Sequence, residues 1–239
     1  MSFVINPYRF GGGGGGGAHS RSFDGLNDEI TLPDLTTLIG GINATTYTAC
    51  AWVKLDDLST SCVFSMDEIT ADNSIWFRLL YSSAGYFRVV LRGNTGTPNA
   101  VNSSTYTTTD EWVHVAFVRN GNQVEGYLNG TSFGTDSTNT ITAMDPTGAT
   151  MTIGAVNSGV ATSTLPMTGN IADVRLFDSA VAASDIADLA AGTDYTTNMI
   201  GSWITGADEG NGAVTIEDGT VNNNDGTNNG SVTDADFPY

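Results

Sequence analysis

Few residues in this sequence are placed to do covalent chemistry. Cleavage of a glycosidic bond needs two carboxylates about 5–9 Å apart, commonly from a compact strand motif such as E-x-D-x-x-E. No such run occurs. Asp67-Glu68 and Asp72 have the wrong spacing and read as a solvated loop. The two histidines, His19 and His114, are far apart in sequence. No zinc spacing, phosphate-binding glycine loop or nucleophile elbow is present. The two cysteines, Cys50 and Cys62, could face each other across a hairpin turning at Asp56-Asp57. In a reducing compartment they read as half-buried free thiols. Glycan binding would call for exposed aromatics, but Trp52, Trp76, Trp112 and Trp203 all fall inside strand patterns and read as core. Tyr106 and Tyr195 read as ordinary loop residues.

The elements that would position any site are strands. Of 239 residues, 40% are apolar and 9% aromatic, enough for a packed core. β-rich runs follow one another: 47–54, 62–66, 74–81, 86–92, 112–118, 123–128, 151–154 and 169–177. Turn residues separate them, among them Asn120-Gly121 and Asn129-Gly130, a dipeptide that marks tight hairpins. Runs of this length and spacing predict an antiparallel sandwich or barrel. One short helix is predicted from Ser184 to Ala190, with Ser184 as N-cap, Asp185 in the positive first turn and Gly192 as the left-handed stop. The predicted core includes Trp52, Trp76, Trp112, Val115, Phe117, Ile171, Val174 and Leu176.

Charge narrows the partners. There are 26 acidic and 8 basic side chains, for a net charge of −18. Phosphate would be repelled, so no nucleic-acid partner is expected, and an anionic membrane is equally disfavoured. No apolar run approaches a membrane span. The charge is also uneven: residues 1–22 carry Arg9 and Arg21 and no acid, whereas residues 176–239 carry 11 acids and no base.

Several motifs, in order, resemble the laminin-G-like, concanavalin A-like jelly-roll domains. Phe23-Asp24-Gly25 with Asp28-Glu29-Ile30 resembles the opening "FDG…DYI". The segment 48–54 resembles the "ISAWVK" strand, 112–118 the "WHHVAFV" strand, 126–130 the "YVNG" hairpin and 169–178 "GxIDDVRIFD". Tail segments 200–205, 208–212 and 222–227 resemble "YWPLDEGSG…DSSGNGNDGT", which in much of that family precedes the FDG strand. The resemblance implies an all-β, two-sheet antiparallel jelly roll, and it places a structural histidine at His114. The expected organisation is an anchoring arm at 1–21, a jelly roll at 22–199, and an acidic segment at 200–239 that completes the sandwich in its own sheet or a neighbour's. Related domains hold a structural Ca²⁺ at the sheet rim, near motifs that Asp24, Asn27, Asp28 and Asp173 match; Asn222 to Asp225 form a second acidic loop. Asx turns would use the same residue types. No cofactor is required by this reading, and catalytic residues are expected to be absent.

The N-terminus suggests where the domain works. Residues 1–10 lack the long apolar stretch of a signal peptide, so synthesis and assembly in a host cytoplasm are expected. Phe3, Ile5, Tyr8, Arg9 and Phe10 precede seven glycines, Gly11 to Gly17, and read as a partner-docking arm. Residues 5–11 resemble N-termini of structural proteins of tailed bacteriophages that carry this domain. The expected function is a non-enzymatic virion protein of the particle exterior, a capsid decoration displaying a lectin-like domain. Its expected partners are virion or capsid proteins, further copies of itself and a surface glycan. The alternatives are a carbohydrate-binding adhesion lectin of a bacterial surface and a phage tail receptor-binding protein. Glycan binding without the arm would favour the lectin.

Overall fold

The computed structural model describes residues 19–33, 45–69, 74–93, 97–140, 150–156, 164–205 and 213–238. Among these residues sixteen strands and one helix are formed: β1 Ser20–Asp24, β2 Glu29–Leu32, β3 Thr46–Leu55, β4 Ser61–Ile69, β5 Ser74–Ser82, β6 Tyr86–Arg92, β7 Asn99–Asn102, β8 Trp112–Asn120, β9 Gln123–Leu128, β10 Thr131–Asp136, β11 Thr150–Ile153, β12 Thr168–Phe177, α1 Ala183–Ala190, β13 Met199–Trp203, β14 Thr215–Ile216, β15 Gly226–Asn229 and β16 Val232–Asp234. They make two antiparallel sheets. Sheet A runs β10-β9-β8-β3-β12-β1-β16, with β13 on the far half of β12; sheet B runs β14-β15-β2-β11-β4-β5-β6-β7. The result is the expected jelly-roll sandwich with one short helix.

Alternation explains which side chains fill it. Every second residue of a strand faces inward, so Tyr47, Ala49, Ala51 and Val53 of β3 meet Phe77, Leu79 and Tyr81 of β5 across the layer. Phe77 is the centre, 5.0 Å from the Tyr47 ring, 5.2 Å from Phe117 and 5.5 Å from Phe64. Val115, Phe117, Ile171, Val174 and Leu176 are buried as predicted.

The tryptophans differ from prediction. Trp52 and Trp112 occupy the outward phase of β3 and β8 and are only half-buried. Trp52 meets His114 edge-on at 5.5 Å, and Trp112 donates its indole N–H to Asp236 at 3.1 Å, with the Lys54 ammonium 6.0 Å from its ring. The Trp76 side chain lies outside the described residues. Among the described side chains, Trp203 is the tryptophan that is wholly buried.

The cysteines also differ. Cys50 is on sheet A and Cys62 on sheet B, so no hairpin joins them. The connection crosses between layers through an Asx turn, with Asp57 accepting the Ser59 N–H. Both thiols are free and buried, and burial raises both pKa values, that of Cys50 to about 12.

Of the two predicted hairpins, Asn129-Gly130 turns with both residues at positive φ (49° and 76°). The other is displaced by one residue: Asn120 pairs with Gln123, so Gly121 and Asn122 make the turn. Helix α1 covers the outer face of sheet A through Ile186 and Leu189, against Val118, Tyr127 and Phe177. Ser184 is not its cap; the N-cap is Ala182, with no side-chain bond. Its end is as predicted, with Gly192 at φ 77° and the Thr193 N–H bonded to the Asp188 carbonyl.

The tail strands pair within this chain. β13 adds to β12, β15 to β2 and β16 to β1. Ser20 and Arg21, expected in the arm, already belong to β1, where Arg21 is buried.

His114 yields a pH prediction. It is buried on β8, and burial holds its imidazole down to about 4, with Arg175 in the same sense and Asp173 opposing. The unfolded chain therefore takes up this proton first as pH falls. The stability linked to His114 is full above its ordinary value of 6.5 and declines toward pH 4, by about 3 kcal/mol in total. Chemical denaturation of His114→Phe and parent protein between pH 7 and 4 should show a shallower decline for the variant. Parallel slopes would contradict the assignment.

Candidate functional site

The predicted docking residues Phe3, Ile5, Tyr8, Arg9 and Phe10 lie outside the described residues. The oxygen-rich loops can be placed. At the β1–β2 turn, Asp24 Oδ1 accepts the Leu26 N–H at 2.8 Å and Asp28 Oδ2 accepts the Asp24 N–H at 2.9 Å, so both carboxylates hold the turn itself. Burial raises the Asp28 pKa. Asp173 is not with them. It sits at a bulge of β12 with φ 49° and is paired with Arg175 at 2.9 Å, whose other partner is Asp194 at 2.6 Å. Among the described residues no three His, Cys, Asp or Glu side chains converge as metal ligands.

The second oxygen-rich loop is organised by Asp218. Its carboxylate accepts the N–H groups of Ser202 (2.9 Å), Thr220 (3.0 Å) and Asn224 (3.0 Å) and the Thr220 hydroxyl (2.7 Å). Asn222 and Asn224 both donate side-chain amides to the Ile200 carbonyl, and the Asn224 carbonyl accepts the Trp203 indole N–H at 2.8 Å. This loop ties the tail to β13.

The outer face of sheet B is different in kind. Asp67, expected in a solvated loop, is in β4 and buried, because β4 pairs with β5 as far as Ile69↔Ser74. Its Oδ1 accepts both Nε (3.1 Å) and a terminal nitrogen (2.6 Å) of Arg78. Its Oδ2 is buried with no hydrogen-bond partner. Burial raises the Asp67 pKa and Arg78 opposes the rise.

Register brings two more arginines to this face. Trp76 pairs with Arg92, Arg78 with Val90 and Leu80 with Arg88. Arg78 is thus diagonal to both Arg88 and Arg92, with backbones about 7–8 Å apart. The Nε atoms of Arg88 and Arg92 are buried and have no hydrogen-bond partner. Val90 and Leu80, nearly buried, form an apolar floor between them. Beside this group, Thr152 donates its hydroxyl to the Ala155 carbonyl at 2.7 Å, and the Ser65 hydroxyl lies 2.8 Å from the Thr152 oxygen, to which it can donate. The Arg88/Arg92 pair was not singled out by sequence reasoning. The signal was there: the two arginines stand four apart in an alternating strand, on the phase opposite Phe87, Val89 and Leu91.

Two twisted antiparallel sheets, a polar outer face on one and a helix across the other define a sandwich of the lectin type. The chain belongs to the Concanavalin A-like lectin/glucanases superfamily, whose sequence model matches residues 23–187. Comparison with the curated proteins found no match. Among solved structures the fold is similar to three of note. A protein from Bacteroides ovatus, provisionally named as carbohydrate binding, is 18% identical with a TM-score of 0.68, over 92% of this chain and 60% of that one. The CBM40 of a Ruminococcus gnavus sialidase, bound to α2,3-sialyllactose, is 15% identical with a TM-score of 0.57, over 72% and 97%. A heptameric SAP-like pentraxin from Limulus polyphemus is 19% identical with a TM-score of 0.53, over 72% and 82%. At these identities the likeness concerns the fold. No helix among the described residues is long and apolar enough to cross a membrane.

Proposed function

We propose that this protein is a non-enzymatic, lectin-like carbohydrate-binding module and that sugar binds on the outer face of sheet B. The observation that carries this reading is the row of arginines around Val90 and Leu80, with the buried Asp67 carboxylate holding Arg78 in place. Sugars offer hydroxyl oxygens to such donors and a C–H face to such a floor. The names of the B. ovatus and R. gnavus proteins support the same class of ligand. A hydrolase would need a second carboxylate opposite the first, and the charged partner of Asp67 is Arg78. The test is a glycan array probed with the full chain. At least one glycan family should bind, and Asp67→Asn, which keeps the shape but weakens the acceptor, should lower that signal at least tenfold while the circular dichroism spectrum is retained. An array without any bound glycan would overturn the reading.

A second reading concerns where the module is displayed. The apolar cluster Phe3, Val4, Ile5, Tyr8 and Phe10 ahead of seven glycines favours an arm that anchors the domain on the exterior of a virion, as a capsid decoration beside other copies. Extended, residues 1–17 would reach about 55 Å, and each buried apolar side chain would contribute about 1.5–3 kcal/mol. Deleting residues 2–17 should leave a folded domain that no longer co-purifies with particles; full occupancy after deletion would exclude the arm as the anchor.

A further inference from the structure

Resting on the lectin reading, we infer that the ligand is an acidic sugar whose carboxylate is received by Arg88 and Arg92 on the outer face of sheet B.

The argument begins with a charge anomaly. Acids outnumber bases 26 to 8 in this chain. Lys54 is paired with Asp236, Arg78 with Asp67, and Arg175 with Asp173 and Asp194. Arg88 and Arg92, on one strand phase with Val90 between them, have no carboxylate partner among the described residues, and the Nε of each is buried without an acceptor. A guanidinium N–H shut away from water and left unbonded is unfavourable. An arriving anion would relieve both.

The geometry selects a carboxylate. The planar guanidinium fork matches two carboxylate oxygens bidentately. Arg88 and Arg92 flank Val90 on one strand, with Arg78 opposite Val90 on the next, so three guanidinium stems surround an apolar floor. Arg78 is half-neutralised by Asp67, whose side chain is wholly buried, so the uncompensated charge on this face lies with Arg88 and Arg92. One carboxylate, one or more hydroxyls and an apolar ring face belong together on a uronic or sialic acid unit. A polyphosphate would also satisfy the arginines, but the −18 body repels polyanions over a Debye length, whereas a singly charged saccharide approaches with little penalty.

The experiment is titration calorimetry of the full chain with 3′-sialyllactose, the singly charged methyl galacturonoside and, as the neutral control, lactose. One of the two acidic ligands should bind at least tenfold more tightly than lactose, and which one does so distinguishes sialic from uronic acid. Arg88→Gln and Arg92→Gln should each lower that affinity at least tenfold. Arg88→Lys, which keeps the charge and loses the fork, should lower it by a smaller factor. Thermal midpoints should stay within a few degrees, since neither arginine pairs with a carboxylate among the described residues. Equal affinity for lactose and the acidic sugars would overturn the carboxylate assignment and leave the lectin reading standing. An acidic preference unaffected by either glutamine variant would place the carboxylate elsewhere and overturn the site. No binding of any glycan would remove the lectin reading and this inference together. Loss of self-association in the variants without glycan binding would reassign the arginines to a protein carboxylate.

Discussion

Trp203→Ala should lower the unfolding free energy by about 3–5 kcal/mol, the range for deleting a buried large aromatic side chain, and urea denaturation followed by Tyr fluorescence would measure it. The ring is wholly buried in the core cluster, and its indole N–H donates to the Asn224 carbonyl at 2.8 Å. Gly201 makes room for it. A Cβ at that position would lie 2.1 Å from the ring, closer than atoms pack. Alanine would therefore leave a cavity and also strand a buried carbonyl. Trp203→Phe, which keeps an aromatic ring but not the donor, should cost less than half as much. A loss below 1 kcal/mol for the alanine variant would contradict the placement.

Asp218→Ala is the second large effect expected, about 2–5 kcal/mol. Four donors converge on this carboxylate, and those from Ser202 and Asn224 are buried. Each buried N–H left without an acceptor costs about 1–3 kcal/mol. Asp218→Asn keeps one carbonyl acceptor and should retain part of the stability. The effects of Trp203 and Asp218 should not add, because Asn224 joins them: its N–H bonds the carboxylate and its carbonyl bonds the indole. A double-mutant cycle with coupling near zero would show the two anchors to be separate.

Residues of long strands were readable because their alternation is sustained. Tyr86 to Arg92 and Gln123 to Leu128 have the predicted ends to the residue. Short strands such as β7, β14 and β16 were not, since two to four residues give no period to count. The tryptophans show a different limit. A large aromatic in a strand was read as core, yet face is set by phase, and Trp52 and Trp112 share the outward phase with Lys54 and His114. Asp67 failed for the same reason: acidic residues after Met66 look like a loop until β5 supplies the pairing partner and Arg78 the counter-charge. The candidate site was legible only as alternation in β6. That Arg88 and Arg92 face no carboxylate among the described residues is a property of three dimensions.

The order in which sheet A closes has a kinetic consequence. β1, the first strand among the described residues, lies between β12 and β16, so Ser20 is joined to Asp234 and Arg21 to Ile171. Neither neighbour exists until most of the chain has been synthesised. Pairings of such sequence separation give a high contact order and slow folding, in milliseconds to seconds or longer. During translation the early strands must wait, apolar faces unpaired, for partners still to be made, and the exposure of this interval invites edge-to-edge association. The body's excess of negative charge would then act as a kinetic safeguard, keeping nascent copies apart until the last strand arrives.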